Sequence, residues 1–480
     1  MELSNRRWTD EEFLKARREV LAYWPTGREA EDLNDNLEYL RQFPDHKIFA
    51  KRLAQAKRDN YIMILPQAGT GTLEATLEHM LYVEAAGADS FFIQCDPYTR
   101  KLKLEEAQRG IELSYQEGRR MMTGYPFINY GVEKSRKISE SVNLPLHFNG
   151  NNDEDGRLLT EIGFASGFTC CLMFDLRDAL THEKNYPLEQ RIRNNQYICR
   201  LAAYYTERGV PFELLAAATS IACVGGTQGM GMAIEILDCL TAAEQGVKHL
   251  SLSSEPRGNL VQDVAAFRLM PQLAEEYLHR FGYHDVVLSS QMIPWGGEWP
   301  RDQWAAAAFM AWNTAIAVFG GVNWFHHRSP TQAIGIPSQE NNAASVGLCR
   351  FMINLVQKQQ FDEGAHYQVE KAMLAAEVNA IVEKAIEMGN GDPAVGRLRA
   401  LEAGVIDVPF PSYELCQHRV LTIRDANGAL RWFDHGNVPL PKEVVEYHRQ
   451  KVRERELSQQ RPADLDMVIE DIRTYSLIRN

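Results

Sequence analysis

Residues 60–89 read "NYIMILPQAGTGTLEATLEHMLYVEAAGAD". A short apolar run at 61–66 leads into a glycine loop, and the loop leads into apolar residues recurring at helical spacing. This is one strand–turn–helix unit. Similar apolar or β-branched runs stand at 90–95, 125–130, 144–149, 167–174, 211–216, 247–254, 284–293 and 321–327, most of them followed by a helical pattern. Strands alternating with helices make parallel βαβ units, and eight such units close a β/α (TIM-type) barrel of about 250 residues. Nine runs compete for eight places, so at least one is not a barrel strand.

The flanks read differently. In "WTDEEF" Thr9 is an N-cap with Glu12 three residues later, a capping box, and "DLNDNLEYLRQF" continues in an amphipathic helical pattern. Beyond residue 345 the rhythm stops. A long helical stretch at 370–389 is followed by an irregular Pro-rich segment, "DVPFPSYEL", and by short segments ending in a helix. The expected organisation is a helical arm at 1–55, a barrel at 56–345 and a mixed extension at 346–480.

The 480 residues are 45% hydrophobic and 24% charged, an ordinary globular balance. The net charge of −13 argues against nucleic acid as the main partner, because phosphate binding needs a basic patch. No uninterrupted apolar stretch reaches about 18 residues, so no membrane span is expected. The charged start "MELSNRRWTDEEF" lacks the apolar core of a signal peptide, and the expectation is a cytoplasmic protein. The eight cysteines include no C-x-x-C pair and read as reduced thiols.

In a β/α barrel the active site lies at the C-terminal ends of the strands. The polar residues following the runs are Gln67 and those at 96–100, 149–152, 175–178, 255–259 and 326–328. "AGTGTLE" follows a strand and opens a helix, but lacks the remainder of a dinucleotide or P-loop fingerprint, so it reads as a tight βα turn. "GGTQGMGMA" at 225–233 reads as a loop with close backbone approach. His326 and His327 are adjacent, point to opposite faces of a strand and do not share a metal. Asp175, Asp178 and His182 have helical ligand spacing, yet an ordinary polar loop is the better reading, and no metal is expected. No G-x-S-x-G occurs, and no cysteine has an evident histidine partner.

Longer strings carry more information. "MELSNRRWTDEEFLKARREVLAYWPTG", "GNLVQDVAAFR", "TAAEQGVKHL", "AIGIPSQENNAA", "GVIDVPFPSY", "GNVPLPKEVVEYHRQKVRERE" and "DMVIEDI" resemble the large (epsilon) subunit of glutamate mutase, also called methylaspartate mutase. The resemblance runs from residue 1 to about 472. It implies an adenosylcobalamin-dependent carbon-skeleton isomerase, with the cofactor held jointly with a small subunit carrying a D-x-H-x-x-G motif. That motif is absent from this sequence, and the implied assembly is a hetero-oligomer. The implied cofactor-facing positions are Gly69, Thr123, Thr181, Trp299, Arg328, Gln332 and Ile336. Arg328 and Gln332 stand where the family usually has Lys and Glu, which pair with ribose hydroxyls.

At the implied substrate positions this sequence departs from the family. Of three arginines that grip a dicarboxylate, only Arg100 remains; Gln67 replaces the first, and Asn149 followed by Gly150 replaces the last. Leu172 falls at a glutamate that holds the substrate amino group, and Asp178 and His182 fall at two tyrosines. Asp175 or Asp178 would then receive an amine, and His182 would shuttle a proton. Losing one partner of a buried charge pair costs about 3–5 kcal/mol, so the expected substrate is a small acid with less negative charge than glutamate. Three readings follow: a mutase with changed substrate, a non-radical barrel enzyme, and a catalytically silent subunit.

Overall fold

The computed structural model describes residues 3–118, 121–149, 154–173 and 176–474. Its main sheet runs through β1 (Met63–Leu65), β2 (Gln67–Ala68), β3 (Phe91–Gln94), β4 (Leu146–Asn149), β5 (Cys170–Leu172), β6 (Glu213–Ala217), β7 (His249–Ser254), β8 (Val287–Met292) and β9 (Trp324–His326). The strand order is β1-β9-β8-β7-β6-β5-β4-β3-β2, and every pairing is parallel. The two ends of this order are consecutive in the chain, separated by Pro66 alone. Proline has no N–H to give to a ladder, so one continuous run registers as two strands. β1 pairs with β9, β2 pairs with β3, and the Pro66 carbonyl accepts the Phe92 N–H at 3.0 Å. The nine strands therefore trace eight staves of a barrel wrapped by helices.

Eight of the nine runs thus become staves. The run at 125–130 does not: Pro126 caps a helix, Phe127–Ser141, whose Phe127, Ile128, Tyr130 and Val132 are buried. A short aromatic run reads alike in a strand and in a buried helix. Tyr125 alone keeps a strand-like bridge, to Cys95. The segment 225–233 also differs from the expectation of a loop. Thr227 accepts the Met230 N–H and starts the helix Gln228–Glu244. The close approach there is by a side chain: a Cβ on Gly229 would lie 2.4 Å from the Glu377 carboxylate. The loop at 69–72 is a βα turn, closed by the Thr72 cap of the helix Leu73–Ala85.

The capping box at Thr9 and Glu12 is present on the helix Asp10–Leu21. Buried ion pairs tie both flanks to the barrel: Arg17 reaches Glu161 at 3.0 Å, and Arg397 reaches Asp238 at 2.6 Å. The C-terminal part also holds an antiparallel hairpin, β10 (Leu421–Arg424) and β11 (Leu430–Asp434), which the sequence reading passed over. Its turn, "DANGA" at 425–429, carries Gly428 at φ +80°. No helix among the described residues is long and apolar enough to cross a membrane.

At the N-terminal end of the barrel the interior is closed. Ser251 donates to Glu213 Oε1 at 2.6 Å and accepts from Trp324 Nε1 at 3.0 Å. Phe49 stacks edge-on against Trp324, ring centroids 4.9 Å apart.

Candidate active site

Two adjoining cavities open at the other end. The axial one, about 160 Å³, takes at least one residue from each of the eight staves or its immediate C-terminal continuation. Among them are Gln67, Gln94, Asn149, Leu172, Leu215, Glu255, Ile293 and His326. The second, about 270 Å³, lies between the loop after β2 and the segment after β9. Gln67, Gln94, Arg328 and Gln332 belong to both, so the cavities share a wall. A larger surface groove of about 520 Å³ runs beside the N-terminal helix, but its ions pair among themselves (Arg6 with Glu12 and Arg193 with Glu189, each 2.7 Å), and no strand end opens into it.

Register places the polar wall. Gln94 pairs with Asn149 across β3 and β4, and Gln67 pairs with Phe92 across β2 and β3. Gln94 Oε1 accepts from Asn149 Nδ2 at 3.1 Å and lies 3.5 Å from Gln67 Nε2. Three amides thus stand side by side with no formal charge. Sequence reasoning missed Gln94, although its place at a strand end follows the same rule as that of Asn149.

Cations stand around this wall. Arg100 ends a short helix, Pro97–Arg100, capped by Asp96, whose Oδ1 accepts the N–H groups of Tyr98 and Thr99 at 2.9 and 3.1 Å. Its buried Nε has no hydrogen-bond partner among the described residues. Arg328 lies 5.9 Å from the centre of the Trp299 ring, and no hydrogen bond or ion pair holds its guanidinium among the described residues. Burial lowers its pKa, opposed by the nearby Glu255 and Cys223. Arg177, which sequence reasoning did not single out, lines the axial cavity from the helix Leu176–Thr181.

Burial favours the neutral form of three imidazoles here, His147, His326 and His327. Burial drives the pKa of His147 down to about 3 and that of His327 to about 4, and holds His326 well below the usual value. His326 faces the axial cavity and His327 the neighbouring one, so the adjacent pair points to opposite faces. No cluster of three or more potential metal ligands occurs among the described residues.

The remaining expected positions divide. Gly69, Thr123, Gln332 and Ile336 line the second cavity, and Leu172 lines the axial one. Gly69 has φ +114°, and a Cβ there would lie 2.7 Å from the Gln94 carbonyl oxygen, so the chain's own packing already requires glycine. Trp299 is buried beneath Arg328, its Nε1 donating to the Trp295 carbonyl at 2.7 Å. Asp178, Thr181 and His182 line neither cavity. Asp178 Oδ1 pairs with Arg177 Nη2 at 3.1 Å. Thr181 hydrogen-bonds the Arg177 carbonyl at 2.8 Å and the His182 ring. Burial, then Arg177, Arg100 and Arg191, lower the His182 pKa. Gly150 and Asp175 lie outside the described residues.

A family profile described as methylaspartate mutase E chain (MutE) matches residues 43–478. The chain belongs to this family. It is thus a member of a mutase, and therefore isomerase, family. It is 35% identical to the glutamate mutase epsilon subunit of Desulfitobacterium hafniense over 98% of this chain and 97% of that one. It is 35% identical to that of Yersinia enterocolitica and 34% identical to that of Escherichia coli O157:H7, each over 99% of this chain and 98% of the relative. The match spans both flanks and the barrel, so the family resemblance covers the staves and the loops that form the cavities.

Proposed function

We propose that the chain is the large subunit of an adenosylcobalamin-dependent carbon-skeleton mutase, acting on a small acid with less negative charge than glutamate. The observation that carries the substrate part is the amide wall of Gln67, Gln94 and Asn149, with Leu172 beside it in the axial cavity. A dicarboxylate placed there would meet neutral amides at two positions where the family's charge-assisted arginine contacts are expected.

The second cavity suits the adenosine part of the cofactor. Arg328 brings uncommitted donors, Gln332 offers both donor and acceptor, and both ring nitrogens of His327 are buried without a hydrogen-bond partner among the described residues. Arg328 and Gln332 would hold the ribose hydroxyls, with Gly69, Thr123 and Ile336 along the same wall. The chemistry this cofactor supplies is a carbon-centred radical from homolysis of its cobalt–carbon bond. The chain's own residues do the rest. Arg100 holds a substrate carboxylate, the amide wall orients it, and the closed barrel interior beneath keeps water from the reacting carbon. The neutral rings of His147 and His326 bring no strongly acidic N–H into the cavity. With no D-x-H-x-x-G of its own, the chain takes its cobalamin from a small partner subunit. The division into arm (1–55), barrel (56–345) and extension (346–480), and a cytoplasmic setting, belong to the same proposal.

The test is anaerobic EPR of the chain with its cognate small subunit and adenosylcobalamin, adding L-glutamate, 2-oxoglutarate and uncharged-side-chain amino acids in turn. A cob(II)alamin–radical signal with a less charged acid and none with glutamate is expected. A full signal with glutamate overturns the changed substrate, and silence with every acid overturns the mutase reading.

A further inference from the structure

The axial cavity is lined by a carboxylate of which the fold uses one oxygen and the proposed cofactor site neither. Glu255 follows β7, is fully buried and lines the cavity. Its Oε1 accepts the Ala222 N–H at 2.8 Å, whereas Oε2 has no hydrogen-bond partner among the described residues. Its nearest cation is Arg257, whose Nη1 is 4.0 Å from Oε1. That guanidinium is already engaged by the carbonyl oxygens of Gly226, Glu255 and Thr227, at 2.8, 2.6 and 3.2 Å. A buried acceptor without a partner, on a residue that lines a cavity, can take a donor from a ligand. Oε2 packs against Gly296, where an added Cβ would sit 2.1 Å from this oxygen.

The other charges of the cavity balance this one. Arg177 is offset by Asp178, and the charge of Arg328 answers that of Glu255. The lining is therefore close to electroneutral, which matches a zwitterion better than a ligand with net charge. Phe92, Leu172, Leu215 and Ile293 supply an apolar wall. The volume, about 160 Å³, is that of about five waters and restricts the ligand to a small one.

Building on the proposed function, we infer that Glu255 receives the ammonium group of an α-amino acid with an uncharged side chain, whose carboxylate is held by Arg100 where the two cavities join and whose side chain lies on the apolar wall. The inference concerns binding, so it stands or falls apart from the radical chemistry.

Equilibrium dialysis of the full chain tests it, with L-alanine, L-valine and L-leucine as probes against their deaminated acids, L-glutamate and 5′-deoxyadenosine. At least one of the three amino acids is expected to bind tenfold or more tighter than its deaminated acid and than L-glutamate. Glu255→Gln should erase that amine preference while leaving the deaminated acid within about twofold. Gly296→Ala, which crowds Oε2 without altering the carboxylate, should reduce the same preference, and melting curves of both variants check folding. Equal binding of amino and deaminated acids overturns the inference, as does no binding by any of the three amino acids. So does a Glu255→Gln effect confined to 5′-deoxyadenosine, which would assign the carboxylate to the cofactor. An amine preference that depends on Glu255, found in a chain that gives no EPR signal with its partner, would break the mutase reading and leave this one intact.

Discussion

The two ends of the same eight staves obey different rules. At the N-terminal end, Glu213, Ser251 and Trp324 satisfy one another in a hydrogen-bonded chain, and Phe49 seals it. Among the residues lining the cavities at the C-terminal end, Glu255 Oε2, both ring nitrogens of His147 and His327, and His326 Nδ1 are buried without hydrogen-bond partners among the described residues. Each such group costs about 1–3 kcal/mol if nothing satisfies it. One end is satisfied from within, and the other leaves polar groups without partners among the described residues.

The largest expected effect lies at the closed end. Trp324→Ala empties a fully buried site that also carries a hydrogen bond, and should lower unfolding stability by about 3–5 kcal/mol in a denaturant titration. A loss below about 1 kcal/mol would break the contrast. Next comes Glu213, whose pKa burial raises from 4.5 to about 7. A raised folded-state pKa gives stability that is full below the unfolded value and is lost as pH climbs through the folded one. Between about pH 4.5 and 7 this group should therefore remove up to about 3 kcal/mol, and Glu213→Gln should flatten that slope. Unfolding midpoints measured across the window decide it.

At the open end the effects move from stability to ligand choice. Gln67→Arg combined with Asn149→Arg should raise L-glutamate affinity tenfold or more, since one charged hydrogen bond contributes about 1.5–3 kcal/mol. Unchanged glutamate binding would show that the amide wall does not set charge preference.

The sequence made the staves legible because each is a short apolar run closed by polar residues. The run at 125–130 misled because Tyr125, Phe127 and Tyr130 pack equally well from a helix, and Pro126 serves as a helix start as readily as a strand end. The hairpin at β10 and β11 was passed over despite the Asn427–Gly428 signal at its turn. At the site, Gln67 and Asn149 were readable from strand ends together with family resemblance. Gln94 and Glu255 needed register and burial, which decide which polar residue at a strand end faces the axis. Arg177 and Asp178 are neighbours in sequence with opposite fates, one lining the cavity and one bound to its neighbour. That division depends on how one turn of helix is rotated, and no residue pattern encodes it locally.

The break at Pro66 bears on assembly. The stave it divides is the first of the barrel to leave the ribosome, yet its β1 half has no partner until the final stave, β9, arrives. Closure is the longest-range event in barrel folding, and therefore among the slowest to form. Gly69 and Arg328 sit on either side of that seam, so the wall proposed to receive adenosine does not exist in a partly made chain. A partner subunit that recognises the closed mouth would dock only on barrels that are complete.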